Sequence, residues 1–598
     1  MPPRRKDHTD YSQLFSAIDI MDLEVHPGGG VAICSVNRGI NWNLAQLDLR
    51  TGRLTDVLSG GKANSLMHPS YSPSGDRLTY QMDFEGSENH DVYAADVGGG
   101  RLKKLTDSVE DNFEPQFSPD GESIAFLSNR QDDIENIYVM NSRGGTIRKL
   151  SKEPLPVKEF YWSSDNRTIV YASGIGDDDY ISVLDVQRAK AKKVLTEKNV
   201  EHSLSGEYGD ACPWSEDGKS FLYRSNENDV FDIAQFDLAT SKRRWIVRSK
   251  YDKYQPQWSP DGSSLAYLEV ADPSIVLKVK KEKLQTTTFP KDGVTRVVRW
   301  LPNGGLVFIN GSSTRPDEVY VAKGSRPRKV TRLLSKPIDK NILPQPKLIK
   351  FRSFDGRRIP AQLVIPRVRS RKAGIVMPHG GPDAQDVDVW DQLALMLADR
   401  GFVVIKPNYR GSTGYGREFN HLHDKDMGGG DFMDTVYAGK YLLESGMVKK
   451  DRLGYWGASY SGFTCMLALT KTPEMWAAAV SIVGFFDWET EMTTERGYLK
   501  AYDEKKMGRF DENPEFFRER SPIYFLENIR APLLMTASSR DVRCPPTQSR
   551  AVVQKLKKLG KMVVYHEYPD EGHWPRKRKN LKDLYERSTK FLDKNIPG

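Results

Sequence analysis

Three residues of this chain, Ser459, Asp541 and His573, are of the types and in the order that could carry out acyl transfer. A serine hydroxyl is a weak nucleophile until a neighbouring base accepts its proton. A histidine can act as that base and later protonate the leaving group, while an aspartate orients the imidazole and stabilises its charged form. We therefore predict that these three residues form a catalytic triad.

The choice of nucleophile depends on a tight turn that follows a predicted strand. The largely apolar run 452–456 precedes Gly457, and a helix-compatible stretch follows the turn. A serine at the tip of such a strained strand-to-helix turn is exposed, and the residues two before and two after it must be small. Ser459 has Gly457 and Ser461 there, whereas Ser461 would have Phe463 two positions later. The pattern therefore favours Ser459.

The other two triad residues also follow predicted strands. One apolar run comes directly before the loop that holds Asp541, and another comes before the loop that holds His573. The carboxyl ends of parallel strands meet at one edge of an open α/β sheet, where ligands bind. The order serine, aspartate, histidine is that of an α/β-hydrolase sheet. Asp570 and Glu571 lie too close to His573 in sequence to be its partner, and we predict that they shape the turn.

A glycine pair offers the remaining catalytic element. The buried strand predicted at 373–377 is followed by His379, Gly380 and Gly381. Consecutive glycines let backbone N–H groups turn toward the reacting carbonyl. Together with the N–H of Tyr460, the residue after the nucleophile, they are the predicted oxyanion hole. An ordinary turn is the alternative for this motif taken alone.

Five motifs cover most of residues 345 to 598. They are His379-Gly-Gly-Pro382, Asn408-Tyr-Arg-Gly-Ser-Thr-Gly-Tyr-Gly416, Gly457-Ala-Ser-Tyr460, Asp541-Val-Arg543-Cys-Pro545 and Gly572-His573. In order and spacing they resemble the prolyl oligopeptidase family of serine peptidases, most closely its acylaminoacyl-peptidase-like and dipeptidyl-peptidase-like branches. The departure is Ser461, where the family usually has glycine; serine is also small, so we expect activity to survive.

The resemblance also implies substrate-binding residues. Arg543 matches the arginine with which family members grip a substrate backbone carbonyl. Phe485, Phe486 and Trp488 follow a predicted strand, and the resemblance implies that this region helps to line the first specificity pocket. Packing in the core is an equally good alternative for these three rings. No adjacent acidic pair in the first half matches the amine-binding pair of dipeptidyl peptidases.

The first half of the chain carries an internal repeat. Each copy has an aromatic residue, a turn resembling Ser-Pro-Asp-Gly and an alternating apolar strand, with starts at 25, 71, 117, 162, 214, 258 and 300. A period in the forties that contains several short strands is typical of a β-propeller, with one four-stranded blade per repeat. Seven copies predict seven blades of TolB or WD40 type. An array of β-sandwiches is the alternative, but each sandwich needs roughly 100 residues.

We therefore predict two domains, a seven-bladed β-propeller over 1–340 and an α/β-hydrolase catalytic domain over 341–598. A chain of 598 residues is too long for a single hydrophobic core. The boundary is predicted near 337–346, where prolines interrupt the strand pattern.

The charge balance does not favour nucleic acid as a partner. The net charge of +8 is dispersed among 80 acidic residues. Basic runs such as 278–283 and 576–579 are more often solvated faces than nucleic-acid sites. Because the second run follows His573 closely, it could also bias the site toward acidic substrates.

Targeting signals are weak in this sequence. The first residues lack the apolar core of a signal peptide, and no stretch reaches the roughly 20 apolar residues of a membrane span. The four cysteines are scattered without metal-ligand spacing. We predict a cytoplasmic protein with reduced cysteines, no metal, no other cofactor and no membrane partner; homo-oligomer formation is left open.

The leading function is a serine hydrolase that cleaves short peptides or N-acylated amino acids. An esterase or amidase acting on non-peptide acyl compounds is the second interpretation, since ester and amide cleavage share the acyl-enzyme. A propeller that binds partner proteins beside a catalytically idle hydrolase is the third. The preferred residue at the cleavage site and the choice between exo- and endo-cleavage stay open.

Overall fold

The computed structural model describes most of the chain. The described residues are 11–62, 64–98, 100–206, 211–281, 287–324, 326–335, 338, 343–367, 370–495 and 497–598. The N-terminal residues 1–10, part of the predicted domain boundary at 337–346 and part of the basic run 278–283 lie outside them.

Most of the first half consists of antiparallel four-stranded sheets whose strands pair in chain order. Within the described residues five such sheets are separate. They contain β1–β4 (Asp19–Val25, Val31–Asn37, Trp42–Asp48, Leu54–Leu58), β5–β8 (Ser65–Tyr71, Arg77–Asp83, His90–Asp96, Lys103–Lys104), β9–β12 (Asn112–Phe117, Ser123–Ser128, Asn136–Asn141, Arg148–Lys149), β13–β16 (Val157–Trp162, Thr168–Ser173, Tyr180–Asp185, Lys190–Leu195) and β17–β20 (His202–Ser203, Ser220–Asn228, Val230–Asp237, Lys242–Val247).

The next eight strands form a single sheet. It contains β21–β28 (Lys253–Trp258, Ser264–Ala271, Ser274–Lys281, Thr287–Phe289, Val294–Trp300, Leu306–Ser312, Arg315–Lys323, Arg326–Lys329). Strand β24 pairs with β23, and β23 meets β25 through one parallel pair, Ile275 with Val294. The predicted number of seven blades stays a prediction.

The first and last strand groups of this half lie against each other. The Ile18 N–H donates to the Leu333 carbonyl at 2.9 Å, and Arg299 pairs with Glu24 at 2.8 Å. Apolar side chains of β1–β3 and β25–β27 share one buried cluster. Such contacts bring the two ends of the strand array together.

The sequence repeat corresponds to a local turn. In the copy that starts at 117, the Ser118 hydroxyl donates to Asp120 at 2.6 Å, and Gly121 has a φ of +75°. Glycine, which has no Cβ, adopts that backbone region readily. The Ser118 hydroxyl also accepts from the Ser123 N–H at 3.0 Å, which starts the following strand. In this copy the repeated residues therefore fix the turn between the first two strands of the unit.

The second half is built on one mixed eight-stranded sheet with the order β29-β30-β32-β31-β33-β34-β35-β36. These strands are Lys347–Arg352, Arg358–Val364, Ala373–Val376, Phe402–Pro407, Leu453–Ala458, Ala478–Ile482, Leu533–Ser538 and Val563–Tyr568, numbered β29 to β36 in chain order. Strand β30 runs antiparallel to both of its neighbours, β29 and β32. Every later pair in the sheet order, from β32–β31 to β35–β36, is parallel. Buried strands of this kind place their carboxyl ends along one edge.

Helices accompany this sheet. They are α1–α9 (Gln392–Asp399, Arg417–Asn420, Gly430–Glu444, Tyr460–Lys471, Trp488–Thr494, Gly497–Met507, Pro514–Arg520, Pro546–Lys558, Arg578–Asn595), with short 3₁₀ turns at Tyr11–Phe15, Gly176–Asp178, His421–His423, Pro473–Met475, Phe510–Glu512 and Pro522–Asn528. Helix α4 is buried along nearly its whole length. Within the described residues, no helix has the length and apolar character needed to cross a membrane.

The 3₁₀ turn Tyr11–Phe15 packs against the second half of the chain. It lies within 1–340, the span predicted for the propeller, and shares a core cluster with residues of the second half. The Tyr11 hydroxyl donates to Asp399 at 3.0 Å. Its apolar side chains find their buried surface beside α1 rather than between the β-sheets. The boundary at 340/341 itself stays a prediction.

Candidate active site

The turn between β33 and α4 presents Ser459. Its φ is +58°, a conformation that non-glycine residues seldom adopt and that accompanies functional sites. A Cβ on Gly457 would lie 2.0 Å from the Ser461 carbonyl oxygen, so only glycine fits there. The Ser459 N–H donates to the Ile482 carbonyl at 2.9 Å, which ties the turn to β34.

A histidine and an aspartate meet this serine through hydrogen bonds. The Ser459 Oγ lies 3.0 Å from His573 Nε2. On the other side of the ring, His573 Nδ1 is 2.9 Å from both carboxylate oxygens of Asp541. The structure thus brings the three predicted residues together from loops after three parallel strands, in the geometry that proton transfer from the hydroxyl requires.

Asp541 is held in place by its own loop. Its Oδ1 accepts the N–H groups of Arg543 and Cys544, each at 2.9 Å, and its side chain has no exposed surface. A buried carboxylate with these donors keeps one orientation toward the imidazole. It therefore fixes which nitrogen of His573 faces Ser459.

The Ser461 hydroxyl is hydrogen-bonded to the backbone. Its hydroxyl donates to the Ala458 carbonyl at 2.9 Å and accepts the Ala458 N–H at 2.8 Å. The residue is almost fully buried. It therefore braces the turn from within, whereas Ser459 contacts the histidine.

The predicted oxyanion-hole glycine lies beside the turn. A Cβ on Gly380 would be 3.0 Å from the Ala458 oxygen and 3.3 Å from Ser459 Cβ. Gly381 has a φ of +124°, which favours glycine. Tyr460 is the first residue of α4, so its N–H is one of the amides that lack a carbonyl partner within the helix. These backbone groups flank the serine as predicted, and their catalytic role stays a proposal.

The loop that bears His573 is shaped by its neighbours, as the sequence analysis predicted. Glu571 is buried and accepts the N–H groups of Arg576 at 2.9 Å and Lys577 at 3.1 Å. Asp570 accepts from the Lys577 ammonium at 2.6 Å. The prediction that Asp570 and Glu571 shape the turn is confirmed.

Arg543 has a partner from the first half of the chain. Its Nε lies 2.7 Å from Oε2 of Glu88, in the loop between β6 and β7, and about half of its side chain is exposed. Burial alone would raise the pKa of Glu88, but Arg543, and further along His573, hold that pKa below its usual value. A carboxylate of the first half thus reaches the edge of the catalytic site. Sequence analysis did not find Glu88 because no motif marks it.

The three aromatic residues predicted near the specificity pocket are packed in the hydrophobic core. Phe485, Phe486 and Trp488 are 6%, 1% and 0% exposed. Phe485 stacks on Phe463 at 4.6 Å between ring centroids and lies 6.3 Å from Tyr460. Core packing accounts for all three rings, and a pocket-lining role stays a prediction.

Three carboxyl groups lie close together behind the Asp541 loop. Glu491 accepts a hydrogen bond from Gln548 at 2.5 Å, and burial holds its pKa well above the usual value. Burial also raises the pKa of Glu495 to about 7 and holds that of Asp503 well above its usual value. These groups stay protonated where ordinary carboxyls are charged.

This cluster predicts a pH-dependent stability. The folded state holds a proton on Glu495 more tightly than the unfolded chain, so its stabilising effect is complete below about pH 4.5 and is lost as the pH rises through about 7. In thermal unfolding, Glu495→Gln should match wild type near pH 5 and become the more stable protein near pH 8. Glu519→Gln, at an exposed position, is the control. A constant difference from pH 5 to pH 8 would contradict this interpretation.

A cavity of about 410 Å³ lies between the two halves. Its wall includes Lys158 and Glu201 from the first half and Tyr498 from the second. Asp383, two positions after Gly381, is also part of the wall. The cavity therefore extends from the predicted oxyanion segment toward the β-sheets of the first half.

One group of side chains in the described residues has the spacing of metal ligands. It contains Glu197, His202 and Glu227. The Arg243 guanidinium contacts both glutamates and lies 2.9 Å from Glu197. Because a cation of the protein already occupies the position, these residues do not make a metal centre, and the absence of cofactors stays a prediction.

The basic run 576–579 is engaged with the protein itself. Arg576 pairs with Asp83, and Lys577 pairs with Asp570 at 2.6 Å. The next arginine donates to backbone carbonyls of the first half. Three of the four basic residues of this run are therefore engaged within the protein, and the hypothesis that the run attracts acidic substrates stays a prediction.

Comparison with known proteins now decides the family. Residues 389–598 match the model of the prolyl oligopeptidase family, and residues 38–254 match the TolB beta propeller domain. The second half of the chain is a prolyl oligopeptidase family domain. The protein is a serine peptidase in which this domain follows a propeller domain, so the predicted resemblance and the predicted combination of domains are confirmed.

The alignments with individual relatives cover most of this chain. Dipeptidyl aminopeptidase BIII of Pseudoxanthomonas mexicana is 27% identical, over 88% of this chain and 80% of its own. The human acylamino-acid-releasing enzyme is 26% identical, over 75% and 60%. In fold, the chain is similar to a puromycin-hydrolyzing peptidase of Mycobacterium tuberculosis, with a TM-score of 0.86 at 18% identity over 99% and 96% of the two chains.

Proposed function

We propose that this protein cleaves short peptides through an acyl-enzyme formed on Ser459, with His573 and Asp541 as its partners. The observation that carries the proposal is the continuous hydrogen-bonded path from Ser459 Oγ through the imidazole to the buried carboxylate, with distances of 3.0 and 2.9 Å. Such a path is what converts a serine hydroxyl into a nucleophile.

The proposed reaction has two halves. Ser459 Oγ bonds to the substrate carbonyl carbon while its proton moves to His573 Nε2. The carbon–nitrogen bond then breaks, and His573 returns that proton to the leaving amine. A water molecule next attacks the ester carbonyl carbon and gives a proton to His573. The bond between that carbon and the Ser459 oxygen then breaks, and the oxygen takes the proton back from His573. Asp541 stabilises the charged imidazole in both halves.

Backbone amides would stabilise the charge on the carbonyl oxygen. The N–H of Tyr460 and the Gly380–Gly381 segment flank Ser459 and are the proposed donors. Each such donor is worth about 3 kcal/mol of barrier stabilisation. No metal is required for these steps.

We further propose that the first half forms seven blades and ends near residue 340. The five separate four-stranded sheets support this, as does the eight-stranded sheet whose two halves share a single residue pair. The contact between the first and last groups supports a ring. The cytoplasmic location stays a prediction.

Among peptide substrates, we propose a preference for a free amino terminus over an acylated one. Glu85 and Glu88 project from the loop between β6 and β7 to the triad loops, where each pairs with an arginine. An ionised carboxylate has about four acceptor sites, so one that pairs with an arginine can still accept a hydrogen bond from a substrate ammonium group. The printed names of the relatives include both a dipeptidyl aminopeptidase and acylamino-acid-releasing enzymes, so acylated substrates remain the second candidate.

The proposal is tested by labelling and by matched substrates. A fluorophosphonate probe should label wild-type protein at Ser459, and tryptic mapping should identify the labelled residue. One tetrapeptide would then be offered with a free, an acetylated and a formylated amino terminus, and a simple nitrophenyl ester would be included. Fastest cleavage of the free form supports the aminopeptidase proposal. Cleavage of the ester alone would favour an esterase, and no labelling would favour an idle hydrolase.

Arg543→Ala should weaken the turnover of peptides more than that of the small ester. A guanidinium offers fixed donors to a backbone carbonyl of the substrate other than the one that is attacked, and a short ester has no such second carbonyl. We expect kcat/KM for the peptide to fall about tenfold, the worth of a hydrogen bond to a charged group of about 1.4 kcal/mol. Arg550→Ala, which removes an exposed arginine of α8, is the matched control.

The contrary outcome for Arg543 is equally clear. If the arginine serves only to pair with Glu88, both substrate classes should decline together, along with the melting temperature. That result would remove Arg543 from the proposed substrate-binding residues.

A further inference from the structure

One loop of the first half lies over the two loops that carry Asp541 and His573. It connects β6 to β7; together with Asp83, the last residue of β6, it comprises residues 83–89, here called the brace loop. A Cβ placed on Gly572, next to His573, would be 2.2 Å from the Gly86 carbonyl oxygen. The two backbones therefore touch directly, without any side chain between them.

The brace loop also makes an ion pair, between Asp83 and Arg576. The side chain of Asp83 has no exposed surface, and that of Arg576 is 22% exposed. Because water is excluded from the carboxylate, the pair is screened far less than a surface ion pair. Arg576 comes three residues after His573, so this pair anchors the end of the histidine loop on the propeller.

Two further contacts fix the same segment from the sides. The Arg576 carbonyl accepts from Asn37 Nδ2 at 2.9 Å, and the Arg578 N–H donates to the Gly39 carbonyl at 3.0 Å. The Arg576 N–H donates to Glu571. The segment behind the histidine is thus fastened both to its own half and to the propeller.

The brace loop also contacts the loop that carries Asp541. Arg540, the preceding residue, donates to the Glu85 carbonyl at 2.9 Å and pairs with the Glu85 carboxylate at 2.5 Å. Loops of this kind are mobile unless contacts of their backbone and side chains hold them. The acid and the base of the triad therefore share one external support.

We propose that Asp83, acting through Arg576, is a positioning residue that holds His573 within hydrogen-bond reach of Ser459. The inference rests on the proposed function, since it concerns the geometry of that triad. A displacement of about 1 Å at a reacting group can cost on the order of a hundredfold in rate. The propeller would then supply part of the catalytic geometry in addition to any control over access.

The experiment compares Asp83→Asn with wild type, using a small nitrophenyl ester that needs no contact with the propeller. We expect kcat to fall about 10- to 100-fold with KM changed by no more than about twofold, since binding groups are untouched. The rate of fluorophosphonate labelling should fall by the same factor. Circular dichroism and the melting temperature establish that the variant is folded.

A double-mutant cycle isolates the ion pair. Asp83→Asn combined with Arg576→Gln should be no slower than the slower single variant, because both remove the same contact. Arg576→Lys keeps the charge and should recover part of the lost rate. Independent, additive losses would overturn the proposal. If Asp83→Asn does not fold, Arg576→Gln alone decides: slower labelling supports the proposal, and labelling at the wild-type rate overturns it.

Asp178→Asn is the matched control. Asp178 also pairs with a cation of the second half, Lys505 at 2.9 Å, but does so away from the triad loops. Its kcat should equal that of wild type, and an equal loss in both variants would overturn the proposal. Failure of the proposed function is separate, since wild-type protein would then resist labelling. Labelled wild type with an equally reactive, folded Asp83→Asn would overturn only the positioning role.

Discussion

Ser459→Ala, and separately His573→Ala, should lower kcat by at least about 10⁴-fold while leaving the protein folded, because triad members act as a unit. Steady-state kinetics with a peptide and with an ester would measure the loss, and the melting temperature would check the fold. The double variant should lose little more than either single variant. Fluorophosphonate labelling should disappear in Ser459→Ala.

Ser461→Ala is the control for this prediction. It removes a buried hydroxyl that bonds to both the N–H and the carbonyl of Ala458 in the turn between β33 and α4. Losing each bond costs about 1 kcal/mol of stability, but Ser459 keeps its contact with His573, so activity should stay within about tenfold of wild type. Ser461→Gly should likewise be active. A dead Ser461→Ala beside an active Ser459→Ala would show that the nucleophile had been assigned to the wrong serine.

The second large effect concerns substrate size. The brace loop lies on the loop that carries His573, so the first half of the chain covers part of the edge where Ser459 lies. A folded domain of 100 residues has a radius of gyration of about 13 Å and cannot pass between the two halves to reach Ser459. We expect a decapeptide to be cleaved at least about a thousandfold faster than the same sequence in a stable folded domain. The folded domain must first open locally to release that segment, and an opening free energy of about 4 kcal/mol corresponds to a thousandfold lower rate.

A third form of the decapeptide separates the effect of size from that of folding. The sequence would be placed in the middle of a long unstructured chain and compared with the free peptide by mass spectrometry. If the propeller covers the site, the unstructured chain should also be cleaved much more slowly. Equal rates for the free and embedded peptide would mean that substrates need only be unfolded, and the covering role would be abandoned.

The sequence by itself determined the residues that could react and the type of fold that holds them. Gly457, Ser459 and Phe463 differ enough in size to identify the tip of the turn, because the strained geometry admits only small neighbours. Strand-then-loop patterns before Asp541 and His573 placed both at one sheet edge. The propeller followed from a period in the forties, since local turn chemistry repeats with each unit.

Only the tertiary structure decided how the two halves share the catalytic site. Asp83, Glu85 and Glu88 are far from the triad in the chain and belong to no motif, so their pairing with arginines of the triad loops could not be read from spacing. The same holds for the turn Tyr11–Phe15, whose apolar residues fit either half until packing is known. The run 576–579 suggested a free basic surface, but Arg576 pairs with Asp83 of the first half. Local patterns specify turns and strands, whereas contacts between distant segments depend on which surfaces the folded chain brings together.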